Sequence, residues 1–86
     1  MPPELYKPFV SNAKNKKYAV YVKSNNRRGY KKIHFGDKRY QHFYDKLGHF
    51  KHLDHFDLKR KSRYYARHGV SKDKTSAKYW ANKILW

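Results

Sequence analysis

The chain contains no cysteine. Disulfide bonds and thiolate-bound zinc, the usual supports of very small domains, are therefore excluded. A hydrophobic core has to hold the fold, and aromatic residues are the main material for it, with 9 Tyr, 5 Phe and 2 Trp among 86 residues. Each such ring buries on the order of 150–250 Å² when enclosed. We expect one small domain, because this length also excludes two-domain enzymes and large α/β folds.

The charge of the chain indicates a polyanionic partner. Lys and Arg total 22 against 6 Asp and Glu, which gives a net charge of +16 with His neutral. Ordinary solubility needs a net charge of only about 2–8. Nucleic acid, an anionic membrane face and an acidic protein surface are the candidate partners. An aromatic content of 19% argues against a disordered basic tail.

No apolar run has the length of a secretory signal or of a membrane span, which needs about 20 residues. We therefore expect no transmembrane segment, and a protein that lies inside the cell or is packaged in a larger particle. The first 15 residues have the character of an extended arm, because prolines at positions 2, 3 and 8 oppose regular structure. The predicted organisation is an arm over 1–15 and a basic mini-domain over 16–86.

A β-hairpin is predicted at the start of the mini-domain. Residues 17–23 form a β-branched and aromatic run that is typical of a strand. Residues 30–35 alternate, with Ile33 and Phe35 on one predicted face. The stretch 24–29 between them contains Ser, Asn and Gly, which favour turns.

Three stretches with helical spacing follow. Apolar residues at 40, 43, 44 and 47 predict one or two helical turns ending at Gly48. Asp54 is predicted to cap a longer helix that ends at Gly69, and Thr75 to cap a last helix with an apolar stripe. An arm, a hairpin and two or three short helices make a small α+β domain.

Residues that suggest catalysis are few. His49, His52 and His55 recur at three-residue spacing, which in principle suits a transition metal. Cysteine is absent and the six His are spread along the chain, so we expect no metal site. Asp54 and Asp57 lie close together, but Asp54 is assigned to the cap, which argues against a Mg²⁺ nuclease. No nucleophile triad or phosphate loop is present, so we expect neither an enzyme nor a cofactor.

The basic residues fall into groups on the predicted turn, the long helix and the C-terminal part. Arg60, Arg63 and Arg67 have the spacing of one helical stripe, beside Lys59. Such groups contact phosphates without reading base sequence. The candidate nucleic-acid-binding residues are Arg27, Arg28, Lys31, Lys32, Lys59, Arg60, Lys61, Arg63, Arg67, Lys72, Lys74 and Lys78.

Aromatic residues lie between these basic groups. Tyr18, Tyr21, Tyr30 and Phe35 are of a type that stacks on unpaired bases. The chain offers little else to fill a core, so we expect these four rings in the core.

The C-terminal half carries a spaced pattern: His55-x-Asp57-x-x-Arg60-Lys61-x-x-Tyr64-x-x-Arg67-His68, then Tyr79-Trp80 and a closing Leu85-Trp86. With the Lys-rich strand that ends in Phe35-Gly36, it resembles a family of small basic uncharacterised proteins encoded by large double-stranded DNA viruses. The resemblance covers about residues 30–86. The stretch 40–52 is longer than in that family and the loop after Gly69 is shorter. The resemblance implies a virus-encoded protein carried in the particle.

The same pattern also has a structural interpretation, which we favour. Asp57 is expected to pair with Arg60 at the helix start. Arg67 and His68 are placed to satisfy carbonyls at the helix end, and the two tryptophans to pack across the helices.

Two functions follow as hypotheses. The first is a virion-associated structural protein that binds genome phosphates without sequence specificity. The alternative is a minor capsid protein that cements larger, acidic capsid proteins or faces an inner membrane. Composition also permits a ribosomal protein, which the viral resemblance disfavours. The expected location is the virion, with the host cytoplasm or nucleus during infection.

Overall fold

A three-stranded antiparallel sheet forms the first half of the molecule. The structure, a computed structural model, describes residues 3–86. Strands β1 (Phe9–Val10), β2 (Lys16–Lys23) and β3 (Tyr30–Asp37) lie side by side in that order. The predicted hairpin is confirmed, and the helices that follow it confirm the α+β class.

The core lies on one face of this sheet. Tyr18 is paired with Phe35 and Val20 with Ile33, so side-chain alternation places all four on the same face. Tyr18, Val20 and Phe35 are buried and Ile33 is partly buried. The core position predicted for Tyr18 and Phe35 is therefore confirmed. Tyr21 and Tyr30 lie on the opposite face of the sheet and outside the core cluster, so the core position predicted for these two rings is wrong.

Part of the predicted arm belongs to the sheet. Phe9 is paired with Ala19 and Val10 with Tyr18, which makes β1 an edge strand. Phe9 also stacks on Tyr21, with ring centroids 5.6 Å apart. Pro8 directly precedes the strand, where the missing N–H of proline does not interrupt a ladder. The prediction for Pro2 lies outside the described residues.

The segment predicted as a short helix over 40–47 is irregular, so that prediction is wrong. The Asp45 carboxylate accepts hydrogen bonds from the backbone N–H groups of Leu47, Gly48 and Phe50. These local bonds replace the i to i−4 pattern of a helix. The one helical turn nearby is a 3-10 turn at Lys51–Leu53.

Helix α1 (Leu58–His68) starts three residues later than predicted. Its cap is Asp57, whose side chain accepts from the backbone N–H groups of Lys59 and Arg60. Asp54 is not a helix cap, because its carboxylate is bonded to His42 and to the backbone of Asp45. The predicted end at Gly69 is confirmed; its φ of 71° lies in the region that favours glycine.

Helix α2 (Ala77–Ile84) is capped by Ser76, which accepts from Tyr79 N–H. The predicted cap, Thr75, instead donates its hydroxyl proton to Asp73 over 2.6 Å. Trp80, Ile84 and Leu85 pack from this end of the chain into the core.

Gly36 permits the close approach of the C-terminal residues to the sheet. A Cβ atom there would lie 2.7 Å from Leu85 Cδ1 and 3.1 Å from Lys17 Cβ. The Phe-Gly pair at the end of β3 therefore has a packing reason. None of the helices within residues 3–86 combines the length and apolar character needed to cross a membrane.

Candidate anion-binding cleft

A cleft of about 600 Å³ lies between α1, the end of β3 and the C-terminal residues. Helix α1 forms one wall, and none of its eleven residues is buried. The cleft is lined by Lys17, Gly36, Asp37, Tyr40, Gln41, Arg60, Arg63, Tyr64, Arg67, His68, Ala81, Leu85 and Trp86. We call it the α1 cleft.

Helix α1 is attached to the body by a few specific contacts. Tyr64 stacks on Trp86 with ring centroids 4.3 Å apart and planes within 5° of parallel. The Tyr65 hydroxyl donates to the carbonyl of Asn82 over 3.3 Å. Packing of Trp86 across to α1 agrees with the prediction, whereas Trp80 is buried in the core.

Three guanidinium groups of α1 line the cleft. Arg60, Arg63 and Arg67 form the stripe that their spacing predicts. Within residues 3–86, none of the three makes an ion pair. Guanidinium groups bind phosphate oxygens in a two-pronged geometry, so an open row of them suits a phosphate-bearing ligand.

The predicted pairing of Asp57 with Arg60 is wrong. Asp57 caps the helix through backbone N–H groups, and the Arg60 guanidinium instead donates to Gln41 Oε1 over 2.8 Å. This bond joins Arg60 to another lining residue of the cleft and leaves the charge of Arg60 unneutralised.

One carboxylate, Asp37, also lines the cleft, and Arg39 neutralises it. Arg39 donates Nε–H to Oδ1 over 3.0 Å and Nη2–H to Oδ2 over 2.7 Å. These hydrogen bonds lower the pKa of Asp37 to about 2. The negative charge is thus matched locally and does not oppose an anion at the α1 arginines.

A buried chain of polar groups lies behind the cleft. Lys17 Nζ donates to the carbonyl of Tyr40 over 2.8 Å and lies 2.7 Å from His42 Nδ1. His42 Nε2 lies 2.5 Å from Asp54 Oδ1. Because a carboxylate only accepts, Nε2 carries the proton and Nδ1 accepts from the lysine, which makes the imidazole neutral.

The pKa values of this chain agree with that assignment. Burial lowers the pKa of Lys17 to about 8, although Asp45, Asp37 and Asp54 oppose the shift. Burial and the neighbouring Lys17 charge lower the pKa of His42. A neutral imidazole thus separates the lysine from Asp54, and it ties the start of β2 to the segment after β3.

A second buried carboxylate, Asp45, stabilises the loop that follows it, over residues 46–50. It accepts from the Tyr18 hydroxyl over 2.6 Å, in addition to three backbone N–H groups. Burial and this bond raise the pKa of Tyr18. Burial raises the pKa of Asp45, but its hydrogen bonds outweigh burial and leave a net lowering. Asp45 therefore stays ionised, and its role is structural.

The other nine predicted binding residues lie outside the α1 cleft. Lys59 is exposed, and Lys61 places Nζ 4.5 Å from the centroid of the Phe43 ring. Arg28 lies over Tyr30 at 5.3 Å, in the hairpin turn. Lys31 and Thr75 both line a second hollow. The remaining members are exposed: Arg27, Lys32, Lys72, Lys74 and Lys78.

The three histidines considered for a metal do not share a site. His49 meets the edge of Tyr18, His52 contacts Phe50, and His55 packs on Trp86. Within residues 3–86, no three or more His, Asp or Glu side chains converge as metal ligands.

Sequence reasoning found three of the thirteen residues that line the cleft; Lys17, Tyr40, Gln41 and Trp86 are among the ten that it missed. The sequence predicts a strand at Lys17 and helix packing for Trp86, and it predicts a helix over Tyr40 and Gln41 that does not form. The available signal was Gly36, since a glycine near a strand end marks a close approach by another part of the chain.

Comparison of the chain with protein-family models, curated proteins and solved structures gives no match. The viral resemblance of residues 30–86 therefore stays a prediction.

Proposed function

We propose that this protein binds the phosphates of nucleic acid without sequence specificity, through the α1 cleft and the basic surface around it. The observation that carries the proposal is the row of three guanidinium groups, Arg60, Arg63 and Arg67, in one cleft with no ion-pair partner within residues 3–86. A net charge of +16 supplies the long-range attraction.

Phosphate contacts dominate affinity and carry no sequence information by themselves. The nine basic residues outside the cleft extend the contact along a phosphate backbone. The resemblance to viral proteins supports a place in the virion, with the packaged genome as the nucleic acid.

The test is a salt titration of duplex DNA binding, with Arg63→Gln/Arg67→Gln as the variant. Both residues are exposed, so its melting temperature should match that of the wild type. The slope of log K against log salt should lose about 0.9 per phosphate contact removed. The matched control is Lys14→Gln/Lys51→Gln, which removes two exposed charges outside the cleft.

The proposal predicts a shallower slope and weaker binding for the arginine variant than for the lysine control. Equal slopes for the two variants would contradict a role for the cleft. A strong preference for one duplex sequence would contradict non-specific binding.

A second candidate, the minor capsid protein, is favoured by a different surface. Phe56 is 60% exposed, Leu58 is 70% exposed, and Phe56 lies 5.5 Å from the ring of Tyr44. Such an apolar patch suits a protein partner. If Phe56→Asn/Leu58→Asn keeps DNA affinity but is lost from assembled particles, the capsid role is supported; retention in particles would contradict it.

A further inference from the structure

We propose that the α1 cleft holds one unpaired nucleotide of a single strand, with its base stacked on Tyr40 and its phosphate on the α1 arginines. This inference rests on the proposed function and adds a preference for single-stranded nucleic acid at this site.

The ring of Tyr40 is the most available aromatic surface in the described chain. Tyr40 is 65% exposed, and it has no aromatic ring partner within residues 3–86. Other exposed aromatic residues pack against a neighbouring ring; these are Tyr6 on Trp80, Phe9 on Tyr21, and Tyr44 with Phe56. An exposed ring without such a partner can stack on a ligand through the face that the Arg39 guanidinium, which lies over the ring, does not cover.

The backbone of Tyr40 is fixed although its ring is exposed. Its carbonyl accepts from the buried Lys17 ammonium over 2.8 Å, and its N–H donates to the carbonyl of Asp37 over 3.1 Å. The Arg39 guanidinium lies 5.9 Å from the ring centroid and is bonded to Asp37. Lys17 thus fixes the backbone that carries the ring, which lowers the ordering cost of a stacking contact.

The cleft joins this ring to the phosphate-binding groups. Gln41 follows Tyr40 and accepts from Arg60, so the aromatic and cationic walls are linked directly. An aromatic platform beside a row of cations is the arrangement that binds single strands without sequence preference. The cleft volume of about 600 Å³ suits one small ligand unit.

A duplex cannot use this platform in the same way. Its bases are stacked on each other inside the helix, and a base reaches a protein ring only after unpairing. The ring of Tyr40 therefore adds affinity for a single strand and adds nothing for a duplex, while the arginines serve both.

The experiment measures Kd by fluorescence anisotropy for a short oligothymidylate and for a duplex of equal length. Tyr40→Ala should raise Kd for the single strand by roughly 5- to 150-fold and leave Kd for the duplex unchanged. Tyr40→Phe keeps the ring and should behave as the wild type. Tyr44→Ala, 39% exposed and outside the cleft, is the matched control and should change neither Kd.

The result separates this inference from the proposed function. If Tyr40→Ala changes neither Kd, or changes both equally, stacking at Tyr40 is wrong whatever the arginine variant does. If Arg63→Gln/Arg67→Gln changes neither Kd, the proposed function is wrong as well. Tyr40→Ala removes no hydrogen bond and no core contact, so an unchanged melting temperature verifies that the fold is intact.

Discussion

Strand β2 and helix α1 are both rich in basic residues, but β2 is mostly buried and α1 has no buried residue. β2 has three lysines among eight residues, and five of the eight residues are buried. α1 has five Lys and Arg among eleven residues, and none of the eleven is buried. A basic residue in this chain is therefore either enclosed by the fold or open to a ligand, according to its neighbours.

Lys17 and Arg63 show this contrast most clearly. Lys17 lies in β2, is 2% exposed and donates to groups of its own chain. Arg63 lies on α1, lines the cleft and has no ion-pair partner within residues 3–86. The buried core lies in the sheet and α2, whereas the proposed binding residues lie on α1, so we expect mutations to affect stability and binding separately.

The largest expected effect is on the core, through Trp80→Ala. Trp80 is 3% exposed and donates its indole N–H to the carbonyl of Lys74 over 2.8 Å. Truncation of such a residue costs roughly 3–5 kcal/mol, which is about the whole stability of so small a domain. Thermal melts should show a largely unfolded chain. Leu58→Ala on α1, 70% exposed, is the control and should melt as the wild type does.

Asp45→Asn should be the next most damaging change. The variant places an amide group where the carboxylate accepts four hydrogen bonds, from the Tyr18 hydroxyl and three backbone N–H groups. Each buried donor left without a partner costs about 1–3 kcal/mol. Urea unfolding should show a loss of several kcal/mol, whereas the exposed Asp73→Asn should change little. Equal losses for the two variants would contradict the structural role of Asp45.

Trp86→Ala should destabilise the chain less than the two changes above, and mainly in α1. It therefore tests whether α1 and β2 unfold separately. Trp86 provides the stacking contact that holds Tyr64 and hence α1. Without it, an eleven-residue helix is only marginally stable. Amide hydrogen exchange should accelerate in α1 and stay slow in β2. The buried area and the stacking contact that are lost should lower the free energy of unfolding of α1 by about 1–3 kcal/mol. Faster exchange in both regions alike would show that they are one cooperative unit.

The smallest expected effect is a loss of stability in mild acid. Folding lowers the pKa of His42 below 6.5, and it lowers those of His34 and His55 in the same direction. The unfolded chain then binds more protons below pH 6.5, so the free energy of unfolding falls as pH falls through 6.5. Folding also lowers the pKa values of three carboxylates, Asp37, Asp45 and Asp73. Their protonation at a lower pH should lower the free energy of unfolding further.

Urea unfolding at pH 7.5, 6.5 and 5.5 measures how the free energy of unfolding depends on pH. NMR titration of the imidazole C–H signals measures the pKa of His42 directly. We expect that pKa below 6.5. A pKa above 6.5, or a stability that rises on acidification, would contradict the neutral imidazole between Lys17 and Asp54.

The parts of the fold that local patterns determine were predictable. The hairpin follows from alternation at Ile33 and Phe35 and from the turn residues, where Asn26 Oδ1 accepts from Gly29 N–H. The end of α1 follows from Gly69, since its positive φ is a local property.

The parts that depend on distant partners were not predictable. Asp54 has the sequence context of a helix cap, but its carboxylate bonds to His42, twelve residues away. The apolar spacing over 40–47 is helical, but no helix forms there because Asp45 accepts hydrogen bonds from its own loop and from Tyr18. The arginine stripe of α1 was predictable from its spacing in the sequence. The cleft beside it was not predictable, because its opposite wall contains residues such as Tyr40 that only the fold brings near α1.

The most direct test of the separation between a stabilising core and a binding helix is an NMR titration of the labelled protein with duplex DNA. We expect the largest amide shift changes in α1 and at Gln41, which accepts a hydrogen bond from Arg60, and small changes in β2. Changes confined to the hairpin turn and the C-terminal lysines, with none in α1, would contradict this expectation, since duplex DNA would then bind without using the cleft.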